Sequence, residues 1–232
     1  MTDNLNSTLT SRQKAITITG IALAVIIPVL LSILFTRIGL ASQDRIFYSR
    51  FIFWVELLFI GLYAYRLEKQ KFLIWTEQKQ DAGFFIISVV VLYLLSIPAG
   101  ILSNIPRLFG LSENNDALKR LMPIFFQHQW LLVFTAFTAG VTEELLFRGY
   151  VLTRLARLFK DQVSPIIISA LLFSALHYSY KSLRELIFAF VIGLIYGYYY
   201  QKYRNIVVLI IAHFLLDLIN LEISIHFTKM IK

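Results

Sequence analysis

The sequence predicts an all-α, polytopic transmembrane helix bundle of about seven spans, with room for an eighth, around an intramembrane polar cavity. Three observations predict it. Hydrophobic residues make up 58% of the 232, against roughly 45–50% in a soluble domain. Mean hydropathy is +0.69. Charged residues reach only 16% and gather between apolar runs. At this length about six to eight helices of roughly 20 residues fit with short loops, which argues for one integral membrane domain.

Composition also excludes. There is no cysteine, so disulfides, thiol catalysis and thiolate metal sites are ruled out. The formal charge of +8 reflects Lys and Arg flanking membrane helices, and no basic stretch carries a nucleic-acid motif. The expected surroundings are a lipid bilayer, with no nucleic acid partner.

The elements follow in order. Residues 1–14 form a polar tail. The apolar run Ala15–Phe35, flanked by Arg12, Lys14 and Arg37, is longer than a signal-peptide core. It reads as a retained first span, although Gly39-Leu40-Ala41 weakly resembles a cleavage site. Pro28 should kink it. The second span is Ile46–Tyr65. In it Arg50 can snorkel to the headgroups, and the deeper Glu56 reads as a structural or interior-facing group. Residues 66–81 form a loop or interfacial helix. The third span is Gly83–Leu102. A turn over residues 111–116 leads to an amphipathic interfacial segment, Ala117–Phe126. His128 beside Trp130 reads as a solvated interfacial histidine.

From Trp130 the chain reads helical to Phe159. Arg154, Arg157 and Lys160 should carry the end of that helix into water. Ile166–His177, Leu183–Tyr200 and Ile206–Ile219 complete the spans. Gly193 and Gly197 have the spacing that lets helices approach closely. The distribution of Lys and Arg slightly favours the N-terminus inside.

Three polar sites stand out in the second half. Glu143 and Glu144 adjoin in an apolar helix, where acids are costly unless they face a protein interior or wet cavity. Glu144 and Arg148 share a helix face and can pair. Glu143 lies about 100° round and stays free for other work. Phe173-xxx-His177 ends the fifth span. His213-xxx-Asp217 lies on the last, where the aspartate can fix the tautomer of the histidine. The fourth and fifth spans should form a hairpin near Asp161. Glu143 and His177 then both lie about 24–27 Å from the turn. His213 lies about 14 Å from its own turn, and protrusion of the Arg154–Lys160 end would close the difference. So Glu143, His177, His213 and Asp217 can line one cavity. A carboxylate with two histidines can activate water directly, or can hold zinc with an open position. The sequence has no HExxH, no GxGD and no serine-nucleophile context.

In this order EExxxR (Glu143, Glu144, Arg148), FxxxH (Phe173, His177) and HxxxD (His213, Asp217) resemble the CAAX-protease and bacteriocin-processing (CPBP, or Abi) intramembrane endopeptidases. The resemblance covers roughly residues 128–222, the expected catalytic helices. Residues 1–127 carry no recognisable signature. It implies hydrolysis of a peptide bond near the C-terminus of a lipidated, CAAX-like, or membrane-embedded peptide. Glu143 would activate water with His177 beside it. His213 and Asp217 would stabilise the oxyanion or hold a metal, with Zn2+ as the candidate cofactor and Glu143 and His177 as further ligands. Glu144, Arg148 and Phe173 would support them. The metal-free glutamate mechanism and the metalloprotease one both stay open. The third motif of the family often ends in asparagine. An amide can donate to an oxyanion, whereas an ionised carboxylate cannot. Asp217 therefore fits better as a partner orienting His213, or as a ligand. The expected location is the plasma (inner) membrane of a prokaryote. Two other functions fit the same cavity: a non-catalytic immunity or scaffold protein that binds a peptide, and a proton-coupled transporter. The absence of an internal repeat disfavours the transporter.

Overall fold

The computed structural model describes residues 9–36, 39–111 and 116–230. The tail residues 1–8, the flanking Arg37 and the turn residues 112–115 lie outside them. The described chain is helical, with no strand among those residues. Six of its helices are long and apolar enough to cross a membrane, and Ser164–Tyr180 is a shorter apolar one. The bundle expected from the sequence is present, with one of its seven spans short.

Helix α1 (Ser11–Thr36) contains Pro28. Thr10 and Gln13 cap its start reciprocally: Gln13 N–H donates to Thr10 Oγ1 (3.2 Å) and Thr10 N–H to Gln13 Oε1 (2.9 Å). Helix α2 (Ser42–Tyr63) runs on through a wide π turn, Ala64–Glu68. Helix α3 (Ala82–Ser103) is capped by Asp81, which accepts from Phe84 N–H at 2.7 Å. Helix α4 (Asp116–Gln127) is the expected amphipathic segment. It buries Met122 and Phe125 against Leu131, Leu132 and Ile225.

Helix α5 (Gln129–Leu158) is π-helical from Leu145 to Leu152. Helix α6 (Ser164–Leu176) is preceded by Asp161, whose carboxylate accepts from Val163 and Ser164 N–H. Those bonds, with Ser164 foremost, hold the Asp161 carboxyl below its ordinary range. A 3-10 turn, His177–Tyr180, ends α6. Helices α7 (Leu183–Tyr203) and α8 (Ile206–Met230) follow. Helix α8 continues well past the expected Ile219.

One expectation needs correction and another refinement. Arg154 does not carry the end of α5 into water. It is fully buried, and its Nη2 pairs with Glu68 Oε2 at 2.9 Å while donating to the Lys71 carbonyl at 2.8 Å. The physical reason is a partner that sequence spacing could not show, 86 residues away. The segment after Glu68 is the expected loop and not an interfacial helix, but it is packed down, which the sequence did not show. It is an irregular strap across the helix ends. Trp75 is buried against Tyr200, and Glu77 accepts from Tyr200 Oη (2.5 Å) and Ile206 N–H (2.6 Å).

Small residues set the two closest helix approaches. A Cβ on Gly193 would meet Ala170 Cβ at 2.8 Å, and one on Gly197 would meet Ile166 Cγ2 at 3.1 Å. These glycines seat α7 on α6, as their spacing suggests. A Cβ on Gly140 would meet backbone atoms of α8, Phe214 N at 2.9 Å and Ile210 O at 3.0 Å. Backbone cannot swing away as a flexible side chain can, so Gly140 fixes α5 against α8 one turn before Glu144. Gly140→Ala should therefore lower unfolding stability in detergent by about 1–3 kcal/mol. Gly100→Ala, where a Cβ meets nothing within 4 Å, should not lower it.

Candidate active site

The site is built outward from a buried charge pair. Arg148 Nη1 donates to Glu144 Oε1 at 2.8 Å, with the two side chains 1% and 0% exposed. Burial this complete is tolerable only for a paired charge. The guanidinium also lies over the Phe173 ring at 4.5 Å and the Tyr196 ring at 5.4 Å. Aromatic faces stabilise a cation that water cannot reach. Phe173, from α6, and Tyr196, from α7, thereby join two further helices to the pair.

Glu144 Oε1 has a second donor. His213 Nδ1 lies 2.7 Å away, across from α8. The hydrogen bond that orients His213 comes from Glu144 and not, as its spacing suggested, from Asp217. Asp217 Oδ2 lies 3.6 Å from Nε2, the other ring nitrogen, and Glu143 Oε2 lies 3.9 Å from the same atom. Both distances exceed a direct hydrogen bond. His213 Nε2 thus faces two carboxylates at close electrostatic range. The Glu143 side chain is 18% exposed and that of Asp217 33%.

Glu143 also borders a cavity of about 520 Å³ between α1, α2, α5 and α6. His177 borders it too. His177 Nδ1 donates to the Phe173 carbonyl at 3.1 Å, which leaves Nε2 as the acceptor. The Phe173 ring packs edge-on to the His177 ring, with centroids 4.9 Å apart. The residues singled out in the sequence therefore fall into one assembly. Glu143, Glu144, Arg148, His213 and Asp217 form the polar cluster. His177 faces Glu143 across the cavity, held by Phe173. His213 and Asp217 do not line that cavity and stand behind Glu143.

Residues 125–219 match a family of endopeptidases. The family is described as type II CAAX prenyl endopeptidase Rce1-like. This agrees with the resemblance carried by the three motifs. No curated protein and no solved structure matches the chain. Similarity to the Rce1-like family supports a CAAX-type protease within the membrane. It extends over α5 to most of α8 and leaves out α1–α3.

Sequence reasoning turned Glu56 to the interior, as the structure has it, but missed the cavity wall that α2 builds. Arg45, Arg50 and Glu56 line the cavity opposite Glu143. Glu56 is 1% exposed, and neither of its carboxylate oxygens has a hydrogen-bond partner among the described residues. The signal was available. Positions 45, 46, 49, 50, 52, 53, 56 and 57 follow a helical period and are the face that meets the cavity.

The zinc alternative requires several ligands to converge. Among the described residues no group of three His, Cys, Asp or Glu does so. His177 Nδ1 is committed to the Phe173 carbonyl and His213 Nδ1 to Glu144. The described residues do not fit a metal centre as they stand.

Removing Arg148 should leave Glu144 buried without its main partner. Arg148→Met is expected to cost about 3–5 kcal/mol in unfolding experiments. The double variant Arg148→Met/Glu144→Gln should recover part of that loss, because the uncompensated charge disappears with its partner.

Proposed function

We propose that this protein is an intramembrane endopeptidase that hydrolyses a peptide bond near the C-terminus of a lipidated, CAAX-like, or membrane-embedded peptide. The observation that carries the reading is that Glu143 and His177 face one cavity within the segment matching the Rce1-like family.

In this reading the peptide enters the cavity and a water sits between Glu143 and His177. Glu143 accepts a proton from the water as its oxygen bonds to the carbonyl carbon. His177 Nε2 accepts the second hydrogen bond of the water and aims its lone pair. The carbonyl becomes a tetrahedral oxyanion. His213 does not line the cavity and acts at longer range: protonated at both nitrogens, it donates Nδ1–H to Glu144, and its positive charge behind Glu143 favours the developing oxyanion. Asp217 supports the cationic ring of His213. When the intermediate collapses the C–N bond breaks, and Glu143 returns its proton to the leaving amine. The roles of Glu144 and Arg148 are positional: a paired, desolvated Glu144 cannot compete for the water and holds the His213 ring.

A general base and a water-orienting partner are each worth about 10²–10⁴-fold in rate. Glu143→Gln and His177→Ala should each lower cleavage of a membrane-bound peptide by about that factor, with the proteins still inserted and monodisperse. Full cleavage by either would sink the assignment. Activity is also expected to persist in a sample verified as metal-free and treated with chelator. Loss of activity there, with recovery on adding Zn2+, would favour the metal-bound water instead.

A further inference from the structure

The cavity wall supplied by α2 contains a cation with no assigned work. Arg50 lines the cavity and is half-buried. Its guanidinium stacks on Phe53 at 5.1 Å, yet it forms no ion pair or hydrogen bond among the described residues. The neighbouring Arg45 lines the same end of the cavity and donates one bond, from Nη2 to the Leu40 carbonyl at 3.0 Å. Tyr180, from the turn that ends α6, also lines the cavity.

The register of α2 on α5 gives the separation. Trp54 Nε1 donates to Thr138 Oγ1 at 3.2 Å, and Tyr150 Oη donates to Glu68 at 2.7 Å. The two helices therefore run parallel, residue n of α2 level with about n + 83 of α5. Glu143 lies level with Ile60, and Arg50 lies ten residues before that, or about 15 Å along the axis. Helical side chains lean towards the N-terminus, so Glu143 reaches back towards Arg50, whose guanidinium lies over Phe53 three residues on; together they cover about a third of this. Roughly 10 Å remain, which is three residues of extended peptide at about 3.3 Å each.

We propose that Arg50 is the receptor for the free C-terminal carboxylate of the substrate, three residues beyond the bond that Glu143 attacks. This rests on the peptidase reading and adds to it a specificity-determining residue outside the segment that matches the family. A guanidinium is suited to the task. It offers paired N–H donors to a carboxylate, and in a cavity partly withdrawn from water a charged hydrogen bond is strong. The acids in the same cavity would repel a carboxylate placed near them, so the terminus is favoured at the arginine end of the cavity.

The test uses the full chain in nanodiscs and a fluorescent farnesylated tetrapeptide in two forms, with a free C-terminal carboxylate and with a C-terminal amide. Both equilibrium binding and cleavage are read. Wild type should bind the carboxylate form at least tenfold tighter than the amide. Arg50→Met should bind both forms as weakly as wild type binds the amide, and Arg50→Lys should retain part of the preference. Binding of the amide should be unchanged in both variants, which reports an intact cavity. Equal binding of the two forms by wild type, a preference that survives Arg50→Met, or no binding of either form would each overturn the proposal. Equal binding would leave Arg50 as a lipid-headgroup anchor. A clear preference without cleavage would leave Arg50 as a carboxylate receptor and count against the peptidase reading. Within the cleavage arm, peptides lengthened by one residue should be cut one bond later.

Discussion

A guanidinium held away from water in a membrane-spanning helix sets the conditions for everything around it. Arg148 is 1% exposed, and a charge there is tolerated only if close partners replace its hydration. Those partners come from four helices. Glu144 is one turn away on α5, Phe173 lies on α6, Tyr196 on α7, and His213, through Glu144, on α8. The pair is thus less a stabilising bond than a constraint on assembly. Helices α6, α7 and α8 must converge on one point of α5, or the charge is stranded. Gly140 makes the convergence possible on the α8 side by letting backbone touch backbone.

The same helix repeats the arrangement lower down. Arg154 is also fully buried, and its carboxylate is Glu68, at the end of α2. Tyr150 shares that carboxylate through its hydroxyl, and its ring lies under the Arg154 guanidinium at 4.1 Å. Between the two arginines the helix is π-helical, from Leu145 to Leu152. The wider turn changes the angle between residues on either side of it. Arg148 can then face α6 and α7 while Arg154 faces the α2 end and the strap. A regular helix would place these side chains six residues, or about 240° after full turns are removed, apart on one fixed pattern. Two buried pairs therefore fix α5 to both halves of the chain, and the strap from Lys69 to Gln80 closes over the second of them.

Much of this was legible in the sequence, for identifiable reasons. Spans show as long apolar runs because lipid accepts no other surface. The Glu144–Arg148 pair showed because a helix brings residues four apart together. The GxxxG contact showed because small residues at that spacing have one common use in membranes. What stayed hidden involves long range or loss of regularity. The Glu68–Arg154 pair joins residues 86 apart, and nothing local announces it. Without that partner, the basic end of α5 reads as an exposed end. His213 gave a similar misreading. Asp217 is its neighbour in sequence, but Glu144 is nearer in space and takes the orienting bond. The π-helical stretch has no compositional mark, and its existence follows from the packing.

Two adjacent acids have diverged in this environment because consecutive helical residues point about 100° apart. Glu144 turns to the protein side and is consumed by Arg148 and His213. Glu143 turns to the cavity and has no strong partner, with the nearest ring nitrogen 3.9 Å away. An acid without a committed partner beside one that is fully committed is the asymmetry a general base requires. The cavity it faces is bounded on its far side by α1 and α2, the part of the chain outside the matched segment. The division has a physical logic. In the proposed peptidase reaction the geometry of water activation would tolerate little change, and the residues assigned to it lie on helices locked together by buried charge. The opposite wall only has to fit what enters, and it is built from a helix whose apolar positions face lipid freely. In that reading a change in this wall would alter which peptide is admitted without disturbing the charge network that holds Glu143.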